Sequence, residues 1–339
     1  MSTTDVTRFA PEWLALREAA DAAARAPELL EPLRLHLPGA AQERRPGAAS
    51  AQRHHRVTPL VIRDLGCGTG SMGRWLAPRL GGRQHWILHD HDPRLLELAS
   101  SRLPRRAADG SPVTVTTERG DVSRLTAERL MGTSLVTASA LLDLLTREEL
   151  DGLVAACAGA GCPALLALSV VGRVDLTPAD PMDDEITDAF NAHQRREEHG
   201  RRLLGPDAVA AASVAFARQG MTVRVETSPW RLGSWTGEPA AGTPATPAAP
   251  AAPGTPGAAA DPGVAGGGGV APNGRLSRRL TAEWLRGWVG AACEQRPDLA
   301  DRSGAYLRRR LEACEAGELR VAVHHSDVLA LPGRTGGAP

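Results

Sequence analysis

The chain has 339 residues with 39 basic and 39 acidic side chains, so no global field steers it toward nucleic acid or an anionic membrane. Every one of the 39 basic residues is arginine. Without lysine, a pyridoxal Schiff base, a lysine-dependent aldolase step and a P-loop lysine on a phosphate are all excluded. The amino terminus, MSTTDVTRFAPEW, carries an early aspartate and no apolar run, which argues against a signal peptide. Residues 11 to 37 space Trp13, Leu14, Leu16, Leu29, Leu30 and Leu33 as an amphipathic helical face, and residues 1–56 read as a helical segment able to serve as a lid. From there strand and helix patterns alternate through a core assigned to residues 57–236. The predicted strands are LVIRDL (60 to 65), HWILHD (85 to 90), VTVTT (113 to 117), SLVTA (134 to 138) and ALLALSVV (164 to 171). Helical periodicity fills the gaps in GRWLAPRL, PRLLELASSRL and TREELDGLVAACA. Strands alternating with short helices predict a mostly parallel sheet covered on both faces. The uncharged run from Gly152 to Gly172 has nearly the length of a membrane span, but its glycines and Pro163 split it into a helix end and a buried strand.

Two further strands are predicted at MTVRVET (221 to 227) and LRVAVHH (319 to 325). Between them, residues 237–274 are built of Ala, Pro, Gly and Thr and cannot bury enough apolar surface to order themselves, so they read as a disordered insertion. Helix-like TAEWLRGWVGAACEQ and GAYLRRRLEACEAG follow, so residues 275–332 return to the core with its last strand. The five cysteines, Cys67, Cys157, Cys162, Cys293 and Cys314, are odd in number and lack metal-ligand spacing, which fits a reducing cytoplasm. No metal site is expected: His89, Asp90, His91 and Asp92 alternate across a strand and cannot converge, and the pairs His54-His55 and His324-His325 point apart for the same reason.

The most informative stretch is VIRDLGCGTGSMGRWL, Val61 to Leu76. Its Gly68, Gly70 and Gly73 match a dinucleotide fingerprint, which keeps an NAD-dependent oxidoreductase open. Asp64 discriminates: a carboxylate two residues before the first glycine repels a pyrophosphate and can accept hydrogen bonds from a ligand ammonium group.

The string DLGCGTGSMGRWL resembles the first motif of class I S-adenosylmethionine-dependent methyltransferases, and three later signals fall in that family's order. These are HDHDPRLLELA after the second strand, GDV after the third, and SLVTASALLDLL at the fourth. FNAHQ and SPWRLG also look like bacterial members of that family. The resemblance implies a Rossmann-like seven-stranded, mostly parallel α/β sheet with an antiparallel edge strand, and S-adenosyl-L-methionine as methyl donor. It implies that Asp64, Gly66, Cys67, Gly68 and Gly70 surround the donor and that Asp90 accepts from both ribose hydroxyls. His91 and Asp92 would line the adenine edge, Asp121 would take the adenine amino group with Val122 beside it, and Ala138 and Ser139 would border the methionine portion. Cys67 reads as a small packing residue of the turn, not a nucleophile.

A methyl acceptor with a proton to lose needs a base near it. Asp143 follows the fourth strand, where it either serves that need or caps the next helix. His193 lies on a helix-like stretch with Gln194, Arg195, Glu197 and His199, either as a general base or on a solvated face. The expected partner is a small-molecule acceptor, with no nucleic acid and no membrane, in a cytoplasmic enzyme whose oligomeric state the sequence leaves open. Two other readings remain beside methyl transfer: the NAD-linked oxidoreductase and a catalytically silent, methyltransferase-like partner module.

Overall fold

The structure, a computed structural model, describes residues 10–37, 58–233, 235 and 272–333. Helices α1 (Pro11–Ala24) and α2 (Leu30–Arg34) open the described chain. The continuous helix expected over 11 to 37 is broken between them, where Pro27 starts a short 3-10 turn because it has no N–H to continue the ladder. The two-helix segment is followed by β1 (Leu60–Leu65), α3 (Ser71–Leu76), β2 (Gln84–Asp90), α4 (Pro93–Arg102) and β3 (Val113–Arg119). Next come α5 (Ala127–Leu130), β4 (Leu135–Ser139), α6 (Arg147–Ala160) and β5 (Ala164–Thr177). The uncharged run from Gly152 to Gly172 thus divides between α6 and β5, and among the described residues no helix is long and apolar enough to cross a membrane.

Five strands pair in parallel in the order β3, β2, β1, β4, β5. Their buried faces come from runs such as LVIRDL, in which Ile62 and Leu65 are fully buried on opposite sides of the sheet, as a parallel sheet covered by helices requires. α6 carries local stop and start signals: a reciprocal capping box between Thr146 and Glu149, and Gly161 in the left-handed conformation after its last turn.

Beyond β5 lie α7 (Asp183–Gln194), a two-residue hairpin β6 (Glu197–Glu198) and β7 (Arg201–Arg202), and α8 (Ala208–Arg218). β8 (Thr222–Thr227) and β9 (Trp230–Leu232) precede the insertion; α9 (Pro272–Gln295), α10 (Ala300–Glu315) and β10 (Arg320–Leu331) follow it. β10 runs antiparallel between β5 and β8, so the antiparallel strand sits one place in and β8 forms the outer edge. Sequence pattern missed β9 and cut β5 short at residue 171, because neither segment alternates cleanly. The stretch expected to hold His193 through His199 on one helix is helical only to Gln194 and then turns into the β6–β7 hairpin. The composition places the insertion's end at Gly274, whereas Pro272 already starts α9; residues 237–271, His54 and His55 lie outside the described residues.

One consequence positions the site. β5 pairs with β4 only through Ala167, and its remaining residues run on past the carboxyl ends of the other parallel strands. That extension pairs with the first half of β10, which in turn pairs with β9. Around this arm Ile186, Trp230, Leu285, Trp288 and Tyr306 form a third apolar cluster, separate from the two that cover the sheet. The arm and its helices face the carboxyl ends of β1, β2, β4 and β5, the edge at which open α/β sheets bind ligands.

Candidate active site

Between the strand ends and the arm lies a cavity of about 970 Å³, at the upper end of the roughly 300–1,000 Å³ usual for ligand pockets. Its first wall is the turn after β1. Gly66 and Gly68 both adopt positive φ, and a side chain on Gly68 would meet Leu14 of α1 at 3.3 Å, so the turn and α1 approach closely. Gly73, the last glycine of the fingerprint, does a different job: a Cβ there would meet Leu103 at 2.5 Å, so it lets α3 pack, and it does not line the cavity. Gly70 stands in the left-handed conformation at the start of α3 and is also absent from the wall.

Two buried carboxylates flank the turn. Asp90, at the end of β2, accepts the Gly68 N–H at 2.9 Å and the Asp92 N–H at 3.0 Å, which ties the turn to the neighbouring strand. Asp64, near the end of β1, accepts from the Thr137 hydroxyl at 2.7 Å through Oδ1, while its buried Oδ2 has no partner. Burial pushes the Asp64 carboxyl up to about 7, against the pull of the Thr137 hydrogen bond and of Arg25, with Asp90 adding to the rise. A buried carboxylate oxygen without a donor is costly, and the cavity is where a donor can arrive. Cys67 lies between these carboxylates; burial and both charges push its thiol up, which removes it as a nucleophile.

His91, Asp121 and Val122 also line the cavity. Asp121 accepts from the Ser123 N–H at 2.9 Å, a bond that holds its carboxyl below the usual range, and it caps the 3-10 turn that carries Val122. Two expected neighbours are not in the wall. Asp92 caps α4 through the Arg94 N–H at 2.9 Å. Ala138 is 1% exposed in mid-sheet, paired with Leu65 and Leu166, and the chain presents Ser139 and Ala140 to the cavity in its place.

Both candidate proton acceptors reach the cavity. Asp143 is buried in a 3-10 turn after β4. Capping of α6 falls to Thr146, so the helix-cap reading of Asp143 is not what the fold uses. His193, in the last turn of α7, has its Nε2 4.0 Å from Glu294 of α9.

The second wall draws largely on residues that sequence reasoning did not select for the site, Trp230 of SPWRLG excepted, which reads as core packing or a pocket wall. α1 contributes Trp13, Arg17 and Asp21, and Asp21 accepts from the Trp230 indole at 3.0 Å while Arg17 lies 4.9 Å from the Trp230 ring. α1 is further fastened by Glu18, which pairs with Arg74 of α3. Trp284 and Trp288 come from α9, and His325 from β10, 5.4 Å from the Trp230 ring. Leu168 lines the cavity at a positive φ where β5 leaves β4, and its N–H donates to Asp327 at 2.8 Å. A non-glycine residue held there marks a constrained backbone at the site. The tryptophans were visible in the sequence, but nothing local showed that α9 returns across the insertion to the strand ends.

Residues 62–163 match the family model described as a methyltransferase domain. With the glycine turn, the two carboxylates and the parallel strand order, this segment is a class I methyltransferase domain. The chain thus carries a methyltransferase domain, and an S-adenosylmethionine donor would fit the unpartnered Asp64 oxygen, which suits an ammonium group. Solved structures to which the chain is similar include loganic acid methyltransferase, at 12% identity with 95% of each chain covered and a TM-score of 0.45. Geranyl diphosphate C-methyltransferase from Streptomyces coelicolor A3(2) follows at 12% identity, covering 90% of this chain and 77% of that one, with a TM-score of 0.37. Magnesium protoporphyrin IX methyltransferase from Synechocystis PCC 6803 is 16% identical, covering 50% of this chain and 68% of that one, with a TM-score of 0.32. No curated protein matches the chain in sequence.

Proposed function

We propose that the protein methylates an oxygen or nitrogen nucleophile of a small molecule held in the cavity beside the donor. The observation that carries the reading is the buried Asp64 Oδ2, without a protein donor, next to a glycine turn that a side chain would obstruct. S-adenosylmethionine supplies an electrophilic methyl carbon on a sulfonium centre. The chain's part is to bind, align and exclude water. Asp64 receives the donor's ammonium group, and Asp90 turns toward the ribose hydroxyls while keeping its bond to the Gly68 N–H. Asp121 and Val122 border the adenine, with Gly66, Cys67 and Gly68 along the chain between these groups. The acceptor's proton, where it has one, passes to His193 or Asp143, both of which line the same cavity.

A small acceptor is favoured by α1 lying across the glycine turn and by the balanced surface charge, which offers no track for a nucleic acid. The NAD reading needs a pyrophosphate against this turn, and the unpartnered Asp64 carboxylate speaks against that. Calorimetric titration of the chain with S-adenosylhomocysteine and with NADH separates the two. Binding of the first alone is expected; binding of NADH alone would overturn the reading.

A further inference from the structure

On the methyl-transfer reading, the acceptor sits against the part of the wall that α1, α7, β9 and α9 build, because the glycine turn and strand ends take the donor. That wall is aromatic, with Trp13, Phe190, Trp230, Trp284 and Trp288 arriving from four separate elements. Trp284 and Trp288 stack with centroids 5.0 Å apart and planes 16° from parallel, and Tyr306 leans on Trp288 at 6.4 Å. This packing holds the rings in fixed orientations. Fixed ring faces and edges favour another ring in offset or tilted contact, an advantage that a flexible alkyl chain does not receive.

Polar atoms narrow the ligand further. Trp288 is 1% exposed, and its indole N–H has no acceptor in the protein. An indole nitrogen can only donate, so what meets it must accept. Trp230 on the same wall shows the usual arrangement, its N–H bonded to Asp21 at 3.0 Å. His325, 5% exposed, leaves Nδ1 without a partner, and Gln194 leaves Oε1 without one. Native proteins leave few buried polar atoms unmet, and here three belong to residues of one cavity wall. The guanidinium groups that α1 and α9 bring to the wall, Arg17 and Arg286, are paired with Asp21 and Glu283, and Arg201, beyond α7, is paired with Glu149, so each of these three charges already has a carboxylate partner.

We propose that this wall is the acceptor subsite for a neutral, planar aromatic molecule bearing an oxygen, with the Trp288 N–H donating to that oxygen. His325 and Gln194 supply the further polar atoms for a hydroxyl on the same ring system. Burial keeps the His325 imidazole uncharged, its pKa pushed down to about 3, which is consistent with a neutral ligand.

The test is equilibrium dialysis of the full chain, loaded with S-adenosylhomocysteine, against 2-naphthol, naphthalene and 1-octanol. 2-Naphthol has the ring and the oxygen; each of the others lacks one of them. About tenfold tighter retention of 2-naphthol than of either is expected, the size of one well-placed hydrogen bond or one ring contact. Trp288→Phe keeps a ring and removes the donor, so it should reduce 2-naphthol to the affinity of naphthalene while S-adenosylhomocysteine binds as before. Equal retention of 2-naphthol and naphthalene by the unaltered chain would overturn the proposal, as would a Trp288→Phe variant that keeps the preference. If Trp288→Phe fails to fold, the three-probe comparison on the unaltered chain decides alone. Failure of the unaltered chain to retain 2-naphthol while it binds S-adenosylhomocysteine defeats only the acceptor class, whereas absence of S-adenosylhomocysteine binding defeats the methyl-transfer reading itself.

Discussion

The two halves of the cavity are built on different physics. The half proposed for the donor comes from consecutive strand ends and turns between Asp64 and Ala140, and it presents carboxylate oxygens and backbone close to glycine. The half proposed for the acceptor is gathered from α1, α7, β9, α9 and β10, elements spread from Pro11 to Leu331, and presents rings. A half made of neighbouring strand ends can be read in order along a sequence. A half made of distant elements exists only after the β5 and β10 extensions have brought them together.

If the halves act separately, changes in one should leave the other's ligand alone. The largest effect is expected for Asp90→Ala, which removes the proposed ribose partner and the anchor of Gly68 together. S-adenosylhomocysteine affinity should fall by about 10- to 150-fold, and a folded variant that binds normally would break the assignment. Next comes Asp64→Asn in the ligand-free protein. With its carboxyl raised from 3.8 to about 7, the folded state keeps a proton that the unfolded chain has already lost between those values. Asp64's contribution to the stability of the free protein is therefore most favourable near pH 4 and declines as pH rises toward about 7. Asp64→Asn should flatten that decline in thermal melts and raise the Tm at neutral pH by about 2–4 °C for each kcal/mol of penalty removed. An unchanged pH slope would contradict the buried, unpartnered carboxylate. The smallest effect on the donor is expected for Trp230→Phe, which loses the bond to Asp21. Stability should fall by about 1–3 kcal/mol in denaturant melts, while S-adenosylhomocysteine affinity moves by no more than about twofold. A loss as large as that of Asp90→Ala would show that the halves are one unit.

β1, β2 and β5 were legible because each carries a nearly unbroken apolar run closed by a glycine or an acidic residue, as in LVIRDLG and HWILHD, whereas β3, VTVTTER, was read from its Val and Thr alternation. Asp64 and Asp90 were legible because each stands at a fixed place against a turn. Three features were not. β9 is only three residues long and owes its strand state to pairing with β10. Ala138 was one residue early, since the backbone that reaches the cavity is Ser139 and Ala140, the latter at positive φ. His325 looked like half of an unusable histidine pair, and alternation along the strand does send His324 to Asp175 while His325 turns to the cavity. What periodicity discards as a metal site it can supply as a single inward residue.

The account turns on Asp64 meeting a cationic group. Calorimetric affinity for S-adenosylhomocysteine, measured at pH 8 and pH 6 on the unaltered chain and on Asp64→Asn, tests it most directly. An ammonium group needs the ionised carboxylate, and a group titrating at about 7 is mostly ionised at the higher pH and mostly protonated at the lower. The unaltered chain should bind about tenfold more weakly at pH 6 than at pH 8, and the variant should bind weakly with little pH dependence. The same pH dependence in both proteins, or full affinity in Asp64→Asn, would contradict it.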